Sequence, residues 1–165
     1  MTSQNLSTRP SSAPPRRSWP GLPWLAVVGL ALLAVPRVVL HDLDLIHEGT
    51  FVNLLFVVVP PLVWILVVLL ARVPRPFLTV LTIGAVHGVL LALTHQLLWG
   101  AAFPGGSPRL GGNLAGLDPL LQEVLVRAAA VMSSLVTGLV VGVVVGLVAA
   151  LLARVAGSAR AVSAR

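Results

Sequence analysis

The chain contains no cysteine, no lysine and no tyrosine, and only five acidic residues. Without cysteine there are no disulfides, thiolate nucleophiles or cysteine-ligated metals. Without lysine, the whole formal charge of +6 rests on arginine. A basic balance points to nucleic acid only when a clustered basic face is interleaved with stacking aromatics. Here the arginines lie between apolar blocks, so no nucleic-acid partner is expected. Charged side chains make up 10% of the residues, against about 25% in an ordinary soluble domain. That is too few to build a water-facing surface over a chain that is 57% hydrophobic with a mean hydropathy of +0.99.

What is present is apolar sequence in four blocks, at about 22–40, 51–71, 77–99 and 129–153. Each is close to the ~20 residues that carry a helix across a ~30 Å hydrocarbon core. The chain therefore reads as an all-α integral membrane protein of four transmembrane helices in an antiparallel bundle. Residues 1–20, rich in Ser, Thr, Pro and Arg, read as a disordered tail. The transmembrane domain covers 21–155, and a short basic tail covers 156–165. The first block follows a basic flank as a signal peptide would. It is longer than the usual ~7–15-residue signal core and lacks a small-x-small cleavage site, so an uncleaved span is expected. Pro60 and Pro61 remove two amide donors from the second block and predict a kink there. Gly100 to Leu117 is Gly/Pro-rich without periodicity and reads as an irregular outer loop. Asp118-Pro119 is a helix-start signal. Glu123 and Arg127 follow at the favourable i, i+4 spacing. A helix from Pro119 to the end of the fourth block spans about 52 Å, so its first turns lie outside the hydrocarbon.

Orientation follows from arginine, which is enriched in cytoplasmic loops. With the N-terminus inside, the inner side holds Arg9, Arg16, Arg17, Arg72, Arg75, Arg154, Arg160 and Arg165, and the outer side Arg37, Arg109 and Arg127. All five acids then lie outside. The expectation is a multi-pass cell-membrane protein with both termini cytoplasmic, and with Trp19, Trp24 and Trp99 as interfacial anchors.

Close backbone approach through small residues drives helix association in lipid. The fourth block carries Ala130, Ser134, Gly138, Gly142, Gly146 and Ala150 four apart, and the third carries Gly84, Gly88 and Ala92. This stripe reads as a packing face, either for the third span within one chain or for a second copy or another membrane protein. Bulky replacement such as Gly142→Ile disrupts packing in both cases.

Polar groups inside a membrane are costly and usually have a purpose. His87 lies mid-way along the third span and His95 towards its outer end. An interhelical hydrogen bond from His87 to Asn53 or Ser133 is the plain expectation. A polar path along His87 and His95 is the sharper one. The outer segment His41-Asp42-Leu43-Asp44-Leu45-Ile46-His47-Glu48 is the densest polar cluster. In a helical turn, His41, Asp44 and Glu48 share a face with His47 adjacent, and His95 reaches the same surface. Those five residues form the candidate metal or proton-relay set.

Several sites are excluded. His47-Glu48-Gly49-Thr50-Phe51 lacks the second histidine of a zinc-protease helix, and no nucleophile elbow, phosphate loop or dinucleotide fingerprint is present. Facing axial histidines for haem are missing, and no cofactor is predicted. With the first span ending near Leu40, no span holds a carboxylate, which argues against a proton-coupled carrier. The reading that follows is a non-enzymatic accessory or assembly partner in the lipid bilayer. The alternative is a small channel or carrier lined by His87 and His95, and the third is a metal-dependent membrane enzyme using the outer cluster.

Overall fold

The computed structural model describes residues 21–163; the tail expected at 1–20 and the terminal arginine lie outside them. The described residues form helices α1 (Trp24–Leu32), α2 (Val35–Asp42), α3 (Phe51–Leu70), α4 (Pro76–Leu97), α5 (Trp99–Ala102) and α6 (Pro119–Ser163), with no strand among them. Four stretches are long and apolar enough to cross a membrane: Trp24–Asp42, Phe51–Leu70, Pro76–Leu97 and Pro119–Ala159. Large apolar side chains such as Leu25, Leu70, Leu97 and Leu147 are more than half exposed, which suits a hydrocarbon surround and not water.

The first span is two helices, not one. Pro36 stands in the first turn of α2 and brings no amide, so the helix cannot run through it without losing a bond. Leu33 and Ala34 donate instead to Leu30 and Ala31 three residues back. A second donor reaches the Leu30 carbonyl, because the Trp64 indole on α3 donates to it at 2.7 Å. Trp64 is wholly buried. The span also runs past Leu40 to Asp42.

Two helices end on the same device. A helix whose C′ residue turns left-handed can close with 6→1 and 5→2 hydrogen bonds, a site glycine usually fills. Asp44 takes it after α2 with φ 58°, its amide donating to His41 while Leu45 donates to Leu40. Arg72 takes it after α3 with φ 48°, with Arg72 donating to Leu69 and Val73 to Val68. Val73 and Val68 are both buried in the core cluster, the apolar contact that accompanies this cap. The starts of α3 and α6 are capped by side chains. Thr50 accepts from the Asn53 amide, and Asp118 accepts from the Leu120 and Leu121 amides.

Helix α3 continues through Pro60 and Pro61. The expected fourth span is a single helix of 45 residues, about 68 Å long at 1.5 Å per residue. It takes in the segment from Pro119, and residues 156–163 extend it as helix.

Helix α4 is the element all others touch, packing along α6 over most of its length and also on α1, α2 and α3. Half of its most apolar stretch is buried, against 22% in each of the other spans. Its contact with α6 is backbone on backbone. A Cβ at Gly84 would stand 2.5 Å from Gly142 Cα and 2.6 Å from the Gly138 carbonyl. One at Gly138 would meet Gly84 and Gly88 backbone as closely. A Cβ at Gly88 would stand 3.1 Å from the Ser134 carbonyl, and one at Gly146 3.1 Å from Phe77. Ser134 is buried and donates to Ala130 within its own helix. The small-residue stripe of α6 is thus covered by α4 of the same chain.

Candidate functional site

The left-handed turn at Asp44 decides what the polar segment at 41–48 can do. It stops the helix one residue after Asp42, so 44–48 leave the helical face instead of continuing it. Asp44 and His47 turn to each other at 3.4 Å in the open, 92% and 67% exposed. The five residues expected as a metal set therefore do not gather. Among the described residues no group of three or more His, Asp or Glu side chains is placed to hold a metal ion.

Asp42, which the helical-face reading passed over, is the centre of what does gather. Its side chain is 6% exposed, and its Oδ2 lies 2.7 Å from His95 Nδ1 on α4. An ionised carboxylate only accepts, so with Asp42 as carboxylate it is His95 Nδ1 that donates across this contact. His41 stands on the other side of the carboxylate, its Nδ1 3.7 Å from Asp42 Oδ1. The remaining nitrogen of the same ring, Nε2, is 4.0 Å from Oε1 of the exposed Glu48. Ending the first span at Leu40 removed Asp42 from the membrane segment. With the span extended to Asp42, a buried carboxylate stands at its end.

This group forms one wall of a cavity of about 550 Å³, open to the surface, between the end of α2, the second half of α4, α5 and α6. Leu91, Ala102, Phe103, Ala129 and Ala130 give it apolar walls, and His41, Asp42, His95, Ser133 and Thr137 its polar ones. A volume of this size accommodates a drug-sized molecule.

His87 belongs to a second, smaller cavity of about 110 Å³, shared with Arg37 and Trp64. Leu91 and Thr137 line both cavities, so they are the partition between His95 and His87. Neither Asn53 nor Ser133 bonds to His87. Asn53 accepts from Arg37 Nε at 3.0 Å, and the His87 Nδ1 is buried without a partner. The ring packs edge-on against Trp64 with centroids 5.9 Å apart.

The segment after α4 is mostly exposed over 104–116, and side chains tie it down. Trp99 donates to Ser107 at 2.8 Å and packs at a tilt against Phe103, centroids 4.8 Å apart. The Arg127 guanidinium covers the Trp99 ring at 4.6 Å, held there by Glu123 at 2.8 Å and by Gln96. Gln122 is the main tether: its carbonyl accepts from the Leu110 amide, and its amide donates to the Ala115 and Leu117 carbonyls. Sequence gave no signal for it, because a neutral amide bonding across a loop has no spacing rule. Gln122→Ala is expected to leave helix content unchanged and to open 105–117 to limited proteolysis, seen as new cleavage within that segment.

Comparison with known protein families, with curated proteins and with solved structures gives no match. The geometry therefore carries the functional argument alone.

Proposed function

We propose that the chain is a non-enzymatic carrier or binding protein of the membrane. In this reading its substrate is a small amphiphilic molecule held in the cavity beside Asp42 and His95. The observation that carries it is the buried Asp42–His95 contact in the wall of an open, mostly apolar cavity. Polar ionisable groups at membrane depth are expensive unless paired or used, and here the pair faces a space large enough for a ligand. The polar end of the molecule meets His41, Asp42 and His95, and the apolar body lies among the alanines and Phe103. This makes the carrier alternative the better one. An accessory role through the small-residue stripe has less support, since α4 already covers that stripe, and association with a second copy would need another face.

The same reading includes an antiparallel four-helix bundle bent at Pro60–Pro61, set in the cell membrane with both termini cytoplasmic. The surroundings of two arginines on the proposed outer side favour this orientation. Arg37 lies within the first span and donates to Asn53, and Arg127 is held by Glu123 and Gln96. Among the described residues this leaves Arg109 as the loop arginine at that end, against Arg72 and Arg75 in the short turn at the other.

Absence of native cysteine makes both points directly measurable. The reacting species is the thiolate, which forms where water reaches, so Ala130→Cys in the cavity wall is expected to react with a charged thiol reagent about ten-fold faster than lipid-facing Leu139→Cys. Equal, slow reaction at both sites would remove the cavity reading. In intact cells, exposed Leu45→Cys is expected to label from outside and Ala71→Cys only after permeabilisation; the reverse pattern inverts the topology.

A further inference from the structure

We infer that Glu48, His41, Asp42 and His95 form a proton relay between solvent and the cavity. This rests on the binding site proposed above and adds the proton as a second species that the site handles. The order of the four groups is the argument. They alternate carboxylate and imidazole, and their side-chain exposure falls from 81% at Glu48 to 42% at His41 and 6% at Asp42. It rises again to 33% at His95, which lines the cavity. His41 presents one ring nitrogen to each carboxylate, Nε2 to Glu48 at 4.0 Å and Nδ1 to Asp42 at 3.7 Å. A small turn of the half-exposed ring closes either gap to hydrogen-bond length. The Asp42–His95 link is already closed at 2.7 Å.

Release from the cavity runs as follows. His95 Nε2 takes a proton from the bound molecule or its water, and the Nδ1 proton passes to Asp42 Oδ2. Rotation of the carboxyl group about Cβ–Cγ presents that proton to His41 Nδ1. The His41 ring gives its Nε2 proton to Glu48, which sheds it to water. One proton leaves the cavity and one reaches solvent; each ring ends as its opposite neutral tautomer and is reset by exchanging its proton through water, His95 with cavity water and His41 with solvent. Uptake is the reverse.

The surrounding charges leave this chain open. Arg127 and Glu123 on α6 are paired to each other. Arg37 on α2 is turned to Asn53 on α3, and Asp44 pairs with His47 in the following turn.

The test is exchange of the His95 ring proton with water, read by nitrogen-15 imidazole NMR on the full chain in micelles. Removing an obligatory relay group slows proton transfer steeply, so His41→Phe is expected to slow exchange by about ten-fold or more. Glu48→Gln, at a solvent-exposed position, is expected to slow it by about three-fold, since water can still reach His41 directly. Amide spectra establish that each variant is folded; if His41→Phe is not, Glu48→Gln decides. Unchanged exchange in the folded variants would mean that protons reach His95 through cavity water, and would overturn the relay. That result with Ala130→Cys still reactive leaves the binding cavity standing, so the two failures are distinguishable.

Discussion

Gly138→Ala is expected to force α4 and α6 apart and to cost the largest share of stability of any single methyl added to this chain. The new Cβ would meet Gly84 and Gly88 backbone, and its nearest neighbours include no side chain that can rotate away. Overpacking of this kind costs about 1–3 kcal/mol and occasionally more. Gly84→Ala should behave alike, with Gly142 Cα 2.5 Å from the added atom. Gly142→Ala is milder, since its nearest atoms are 3.2 Å away. Gly29 and Gly100 have nothing within 4 Å. Alanine at Gly29, inside α1, is expected to be neutral or stabilising by up to about 1 kcal/mol, the helix-propensity difference. Equilibrium unfolding of the four variants in mixed micelles checks the ranking. If Gly138→Ala and Gly29→Ala unfold alike, close helix approach does not hold these two spans together.

The second large effect is expected at Trp64. Trp64→Ala should lose about 3–5 kcal/mol, the usual cost of deleting a fully buried aromatic side chain. Trp64→Phe separates the two contributions of this residue. The ring that packs against His87 is largely kept, while the donor to the Leu30 carbonyl is lost. In lipid such interhelical hydrogen bonds are worth about 0.6 kcal/mol on average and up to about 1.7. Helix α1 ends beside Leu30, so this carbonyl should lie near the upper figure. The same unfolding measurement decides it: a Trp64→Phe loss as large as that of Trp64→Ala would mean that the hydrogen bond, and not the ring, carries the site.

The sequence makes the four spans visible because span length is set by the bilayer and apolar composition records it. It makes the ends less visible, because they depend on caps. Asp44 and Arg72 occupy left-handed positions usually held by glycine, so neither reads as a stop, and treating 41–48 as one turn put Asp44 and Glu48 on a face they do not share. The stripe on α6 is legible as a face from its four-residue repeat. Which helix covers it is not, since periodicity carries no information about the partner. Asp42 reads as loop when the first span ends at Leu40, and two more residues of helix bury it. Gln122 and the pairing of Arg37 with Asn53 join positions that no local rule connects.

The composition of α4 also bears on how the protein is made. Its hydroxyls are satisfied within the helix, Thr79, Thr82 and Thr94 donating to carbonyls one turn back. Its glycine groove and His87 have no such local remedy, and the groove's cover, α6, is synthesised after it. At about 5–20 residues per second, the roughly 50 residues still to come after α4 take roughly 3–10 s. During that interval α4 is a poor guest for bulk lipid. A nascent chain halted before Gly138 should therefore stay crosslinkable to the insertion machinery through Gly84, and one released after Ala150 should not.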